Sequence, residues 1–222
     1  MDRPRRLDPV AERVLSLLAG KAEAGQIVLG GYFALQHHLD YRETHDIDAW
    51  WKDRADPGAE RAIRDAMQRV ADERRMELRE RHFGDTRSFE LLAEGRHRFS
   101  FQIAVRSVEV EAPGPSAWPP ILMETLADTI GGKMNALVNR GAPRYFLDIR
   151  LAVDRGIVSA GRCWELWQAK NPGGSTDAAR QSVLLHLTNL EARRALDTID
   201  DESAREAARQ TRRWFKDDFL RG

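Results

Sequence analysis

The chain has 222 residues, 42% hydrophobic and 32% charged, and its 35 Lys+Arg are matched by 35 Asp+Glu. That length buries one large core or two modest ones, and the zero net charge means that a nucleic-acid partner would need a local basic face. No stretch approaches the roughly 20 apolar residues that span a bilayer, and no apolar run follows Met1-Asp2-Arg3-Pro4-Arg5-Arg6, so no membrane partner and a cytoplasmic location are expected.

Asp8-Pro9 offers a helix cap followed by a first-turn proline. Val10, Val14, Leu17 and Leu18 then mark one apolar helical face, and Gly25 is expected to end that helix. A short apolar strand, Ile27-Val28-Leu29, runs into Gly30 and Gly31. Adjacent glycines let the backbone turn sharply and let another group approach closely. Ala34, Leu35 and His38 recur at helical spacing behind them.

Asp46 and Asp48 follow, two apart, in a segment ending Ala49-Trp50-Trp51. In an extended segment, residues two apart point to the same face. Two carboxylates side by side repel each other unless a cation lies between them, and a hard divalent cation such as Mg²⁺ prefers oxygen ligands. Asp-x-Asp pairs also occur as solvated turn or strand-edge residues. The nearby His37, His38 and His45 are poor ligands for Mg²⁺ and are read as structural.

Asp56-Pro57 repeats the cap-and-proline signal. The helix after it turns Ile63, Met67 and Val70 inward and alternates arginines with acids outward, a solvated face. From Met76 to Glu111 the period changes to two. Met76-Leu78, Phe89-Leu91, Phe99-Phe101-Ile103 and Val108-Val110 read as strands, with turns at Gly84-Asp85 and Glu94-Gly95-Arg96. These are expected to continue the sheet in antiparallel fashion. Ala112-Pro113-Gly114-Pro115 and Pro119-Pro120 break regular structure and suggest a boundary between a 1–112 α/β domain and a 113–222 helical domain.

Beyond that point the pattern is helical. One helix is expected from Met123 to about Asn139. Pro143 opens another, with Phe146, Ile149 and Val153 on its apolar face. Ser159 can cap a third, containing Trp164 and Trp167. This helix also carries Cys163, the only cysteine, which excludes an intrachain disulfide and a cysteine-based zinc cluster. Val183, Leu184, Leu187 and Leu190 mark a further face, and a last helix spans about Glu202 to Leu220. Its Trp214, Phe215 and Phe219 suit helix packing better than base stacking. The fold class is therefore α+β.

A second polar cluster lies on these helices. Lys133, Leu137 and Arg140 fall at i, i+4 and i+7, one helix face. Gly131-Gly132 just before Lys133 lets that face approach something closely. Arg144 and Asp148 are four apart and can pair. By itself this is an ordinary helical hairpin with one salt bridge. Combined with the glycine turn and the aspartates, it suits a triphosphate held by glycine backbone, arginines and Lys133, with Mg²⁺ on the two carboxylates.

The run Gly30-Gly31…Arg42-Glu43-Thr44-His45-Asp46-Ile47-Asp48 resembles the first two motifs of the AbiEii/AbiGii nucleotidyltransferase toxins, within the DNA polymerase beta-type nucleotidyltransferase superfamily. Lys133-Met134-Asn135-Ala136-Leu137-Val138-Asn139-Arg140 is similar to their third motif, K-x-x-A-L-x-x-R. Arg144-Tyr145-Phe146-Leu147-Asp148-Ile149 is similar to their fourth, an Arg followed four residues on by Asp. The resemblance spans about residues 25 to 155.

It implies a mixed nucleotidyltransferase-type sheet with flanking helices and a helical C-terminal part. It also implies Mg²⁺-dependent transfer of a nucleoside monophosphate from an NTP. The acceptor implied is an RNA, the tRNA 3′ end among them, or a protein hydroxyl, and the setting is a bacterial toxin–antitoxin or phage-defence system with a cognate antitoxin. Carried over, Asp46 and Asp48 hold Mg²⁺. Gly30, Gly31, Arg42, Thr44, Arg140 and Arg144 serve the nucleotide. Lys133 contacts its phosphates, and Asp148 acts as metal ligand or base. Two departures stand out. Superfamily members often carry a third carboxylate on a later strand, whereas Phe99-Ser100-Phe101-Gln102-Ile103-Ala104-Val105 has no acid. Tyr145 stands where members often have Asp directly after the Arg. The alternative is a degenerate nucleotidyltransferase fold that binds nucleotide or RNA and regulates without turnover. A helical interaction protein with coincidental motifs is the third reading.

Overall fold

The computed structural model describes all residues except Met1, Asp2, Arg5, Ser107 and Gly222, so the reading of the basic start falls partly outside the described residues. The chain forms two compact units, 1–129 and 130–222. The Pro/Gly-rich stretch at 113–120, expected to separate domains, lies within the first of them.

In the first unit, α1 (Pro9–Leu18) is capped by Asp8, whose carboxylate accepts the Val10 N–H at 2.6 Å. Such a cap stabilises a helix by about 1 kcal/mol. Val10, Val14, Leu15 and Leu18 are buried. The helix stops at Gly20 (φ +80°), whose N–H donates to Pro119 O, and not at Gly25, which sits in a 3-10 turn spanning Ala22–Gln26. β1 (Ile27–Gly30), the short helix α2 (Gly31–Gln36) and β2 (Asp46–Trp51) follow. The helix α3 (Pro57–Arg74) is capped by Asp56 through the Ala59 N–H at 2.7 Å and buries Ile63, Met67 and Val70 completely.

β3 (Glu77–Phe83), β4 (Thr86–Ala93) and β5 (Arg96–Val105) form a meander turning at Gly84 (φ +58°) and at Glu94-Gly95 (φ +51° and +73°). With β6 (Gly114–Pro115) and β7 (Leu122–Met123) they complete a mixed sheet of order β3-β4-β5-β2-β1-β7-β6. The meander does not join in antiparallel fashion: β5 runs parallel to β2, and β7 parallel to β1, while β1 and β2 are antiparallel.

Two further expectations are corrected. Val108-Val110 is not a strand. The buried Asp128 carboxylate accepts the Val110 N–H at 3.1 Å and the Glu111 N–H at 2.9 Å, so these amides are diverted from a ladder. The helix expected from Met123 begins later, as α4 (Leu126–Arg140), because Leu122–Met123 pair with β1 and the Glu124 N–H continues that pairing to Leu29 O.

One face of the sheet carries the core. Ile27, Leu29, Ile47, Ala49, Trp51, Phe99, Phe101 and Ile103 pack there with the apolar sides of α1 and α3. Strand alternation then sends Asp46, Asp48 and Trp50 to the opposite face. The sequence reads strict alternation over 46–51, and its burial follows that period.

The second unit holds the remainder of α4, then α5 (Pro143–Asp154), α6 (Ala160–Lys170), α7 (Thr176–Arg193) and α8 (Glu202–Trp214), which passes into a π-helical turn at Phe215–Phe219. Ser159 and Ser175 cap α6 and α7 through the Arg162 and Ala178 N–H groups. Phe215 and Phe219 are buried, with ring centroids 4.9 Å apart, and Phe146 meets Phe215 at 4.8 Å. Trp164 and Trp167 are buried as well, so these aromatics build the helical core. Gly131 lets α4 approach α6: a Cβ there would lie 3.0 Å from the Lys170 stem and 3.1 Å from Leu166 O. No helix among the described residues is long and apolar enough to cross a membrane.

Candidate active site

The first unit places the glycine turn directly across from the aspartates. In the β1–β2 ladder Gly30 pairs with Asp48. Gly31 then adopts φ +64°, and a Cβ on it would lie 2.3 Å from Asp48 Oδ2. A side chain is excluded there twice over, by the left-handed backbone and by the carboxylate itself. Gly30 is equally confined, since a Cβ would lie 2.3 Å from Trp50 Nε1 and 2.9 Å from Glu124 Oε2.

Asp46 and Asp48 are half-buried on the same face of β2. The buried Thr44 hydroxyl donates to Asp46 Oδ1, which restrains that carboxylate. Across the parallel β2–β5 pairing, Ser100 lies opposite Asp46 and Gln102 opposite Asp48. The strand beside the aspartates therefore offers neutral side chains and no third carboxylate at these two positions. Among the described residues no cluster of three or more acidic, His or Cys side chains forms a metal site. Two carboxylates do suit Mg²⁺, which takes one or two of them and fills its remaining positions with water and substrate phosphate oxygens. The two carboxylates lie on one face of β2, Asp48 packed against the Gly31 backbone, and as hard oxygen donors they fit such an ion.

Arg42 stands against aromatic rings: its guanidinium carbon lies 3.5 Å from the Tyr32 ring centroid and 5.9 Å from that of Tyr41. The Tyr32 hydroxyl donates to Arg42 O at 3.2 Å and accepts from the Arg42 N–H, tying the 39–42 loop to α2. His45 Nδ1 lies 2.6 Å from Asp8 Oδ2, a surface contact with the cap of α1.

Sequence reasoning missed Glu124. Its side chain is buried, 5% exposed, with Oε1 accepting the Gly31 N–H at 3.0 Å and Oε2 accepting the Trp50 Nε1–H at 2.8 Å. The Thr129 hydroxyl also lies 3.0 Å from Oε1. One carboxylate thus bridges the glycine turn and the aspartate strand. On the helix expected from Met123 it reads as an ordinary first-turn acid, so no local signal marked it.

The second unit holds the other candidates together. Lys133 Nζ lies 2.9 Å from Asp148 Oδ2, with side chains 8% and 0% exposed. The sequence suggested Arg144 as a partner of Asp148; Lys133, one helix over, is also a partner. Tyr145 gathers the cations. Its ring centroid lies 5.8 Å from Lys133 Nζ, 5.8 Å from the Arg140 guanidinium and 5.0 Å from that of Arg144, and its hydroxyl accepts from Arg144 at 3.1 Å. Ring-face attraction of this kind is worth about 0.5–1 kcal/mol per exposed cation. Tyr145 thereby gathers Lys133, Arg140 and Arg144 around one ring, with Lys133 also paired to Asp148.

The mixed sheet, its glycine turn and the helical second unit define an α+β protein of the nucleotidyltransferase type. Residues 13–221 match the family described as the nucleotidyl transferase AbiEii toxin of type IV toxin–antitoxin systems. With nearly the whole chain matched, this protein belongs to that family. The match extends past residue 155 into α6, α7 and α8, where the sequence carried no recognisable motif. No curated protein matches the chain.

Proposed function

We propose that this chain is a Mg²⁺-dependent nucleotidyltransferase that moves a nucleoside monophosphate from an NTP to an RNA 3′ hydroxyl, a tRNA 3′ end among the candidates, or to a protein hydroxyl, as the toxin beside a cognate antitoxin. The reading rests on one observation: Gly30 pairs with Asp48, and the left-handed Gly31 backbone packs directly against the Asp48 carboxylate, bringing the glycine turn and the two same-face aspartates together. A solvated Asp-x-Asp pair needs no such contact with a glycine turn.

Bound Mg²⁺ would supply charge neutralisation to the triphosphate and acidity to the attacking hydroxyl. Asp46 and Asp48 would provide its protein oxygens, with Thr44 restraining Asp46. Lys133, Arg140 and Arg144 form a cationic group suited to phosphate oxygens, and most of the rate enhancement would come from positioning and fixed charge. Asp148, fully buried against Lys133, is read as the group that holds the lysine ammonium in place.

A binding module without turnover is the competing reading, favoured by the neutral Ser100 and Gln102 beside the aspartates. One experiment separates the two. Purified protein is incubated with each α-labelled NTP, Mg²⁺ and total bacterial RNA, beside an Asp46→Ala/Asp48→Ala control. Label in RNA with the wild type only supports the transferase and identifies its nucleotide. Label on protein keeps the chemistry and changes the acceptor. No label, with NTP and Mg²⁺ still raising the melting temperature, supports the binding module.

A further inference from the structure

We infer that Glu124 is a positioning residue for this site, holding the glycine turn and the aspartate strand in register so that Asp48 is aimed at the metal. The inference deepens the nucleotidyltransferase reading and rests on it.

The buried carboxylate does two things that an ordinary first-turn acid does not. It reaches from the residue after β7 to both strands that flank the Gly30–Asp48 pair, taking the Gly31 N–H on one oxygen and the Trp50 indole N–H on the other. Trp50 is two residues beyond Asp48 on the same face of β2, and Gly31 is the residue whose backbone lies against the Asp48 carboxylate. Glu124 is itself fixed to β1, its N–H donating to Leu29 O at 2.9 Å. The turn, the strand and the carboxylate therefore form a closed loop of hydrogen bonds around Asp48. Because the Gly31 N–H is committed to Glu124, what Gly31 contributes to the site is backbone direction and the close approach of the Asp48 side chain. Groups that orient ligating carboxylates in this indirect way typically change metal affinity or activity about 10–100-fold when altered.

Glutamine at 124 is nearly isosteric but has only one acceptor oxygen. If that oxygen keeps the Gly31 N–H, the amide N–H₂ faces the Trp50 indole N–H, and two donors oppose each other. Removing the indole donor relieves that opposition, so Trp50→Phe should partly rescue Glu124→Gln. A residue that only fills space predicts no rescue.

The test uses the full chain in four forms: wild type, Glu124→Gln, Trp50→Phe and the double variant, with Asp48→Asn as reference. Mn²⁺ is the probe, its affinity read by electron paramagnetic resonance, beside kcat, KM for NTP and the melting temperature. The expected result is Mn²⁺ binding weakened about tenfold in Glu124→Gln, kcat reduced at nearly constant KM, a melting temperature close to wild type, and recovery in the double variant. Wild-type Mn²⁺ affinity in Glu124→Gln overturns the inference. So does a double variant no better than Glu124→Gln, or a loss of binding that only tracks a loss of melting temperature. If the wild type binds Mn²⁺ through Asp48 but transfers no nucleotide, the transferase reading fails while the Mn²⁺ comparison still decides the role of Glu124. A wild type with no Asp48-dependent Mn²⁺ binding overturns both.

Discussion

Gly31 and Asp48 are matched in shape: the glycine turns left-handed at φ +64°, and the Asp48 carboxylate lies where a side chain on Gly31 would begin. Gly31→Ala must both hold a left-handed backbone and push the carboxylate aside. The expected outcome is destabilisation of about 1–3 kcal/mol in urea unfolding. If Asp48 serves the proposed transfer, displacing its carboxylate on the order of 1 Å should lower that transfer about a hundredfold. An active alanine variant would show that the close approach is incidental.

Asp48→Asn removes one of two neighbouring carboxylates. Repulsion within the pair falls, so the melting temperature of the metal-free protein should hold or rise slightly. Mn²⁺ affinity should fall by more than about a hundredfold, beyond the range of an indirect change. Calorimetric titration beside thermal unfolding checks both signs at once.

The Lys133–Asp148 pair is buried, so breaking it from one side strands a charge. Asp148→Asn is expected to cost about 3–5 kcal/mol, because the buried Lys133 ammonium loses a carboxylate partner. Lys133→Met/Asp148→Leu should recover much of that loss, because no charge remains in the interior. Denaturant midpoints of the two variants decide the point. Equal destabilisation would mean that the pair is not what holds α4 to α5.

Acid lability should be traceable to Glu60. Burial pushes its carboxyl up, but hydrogen bonds from Arg87 and then Arg64 overcome this and hold it below its ordinary 4.5. A depressed carboxyl stabilises the fold above its unfolded value, and the stabilisation is lost as pH falls through the folded one. Glu60→Gln should therefore be less stable than wild type at pH 7, with the difference shrinking below pH 4.5. Unfolding midpoints from pH 7 to pH 3 test the trend.

Cys163 should be inert in the native protein. Burial pushes its thiol up to about 12, leaving almost no thiolate at neutral pH. Alkylation by iodoacetamide should be undetectable in the native protein and complete in denaturant.

What the sequence determined by itself was local. The caps at Asp8, Asp56 and Ser159, the turns at Gly84 and Gly95 and the alternation over 46–51 all depend on neighbours within a few residues, so they were legible before folding. The shared face of Asp46 and Asp48 follows from the same two-residue period. Tertiary structure alone decided the rest. Leu122–Met123 gave up a helix for parallel pairing with β1, and Val110 and Glu111 lost a strand to Asp128, because an available donor row or a buried carboxylate outweighs a weak local preference. Lys133 paired with Asp148 across two helices. Glu124 met Gly31 and Trp50 across 93 and 74 residues of chain, contacts that no periodicity encodes. A buried polar group must find a partner, and only the folded chain decides which one is within reach.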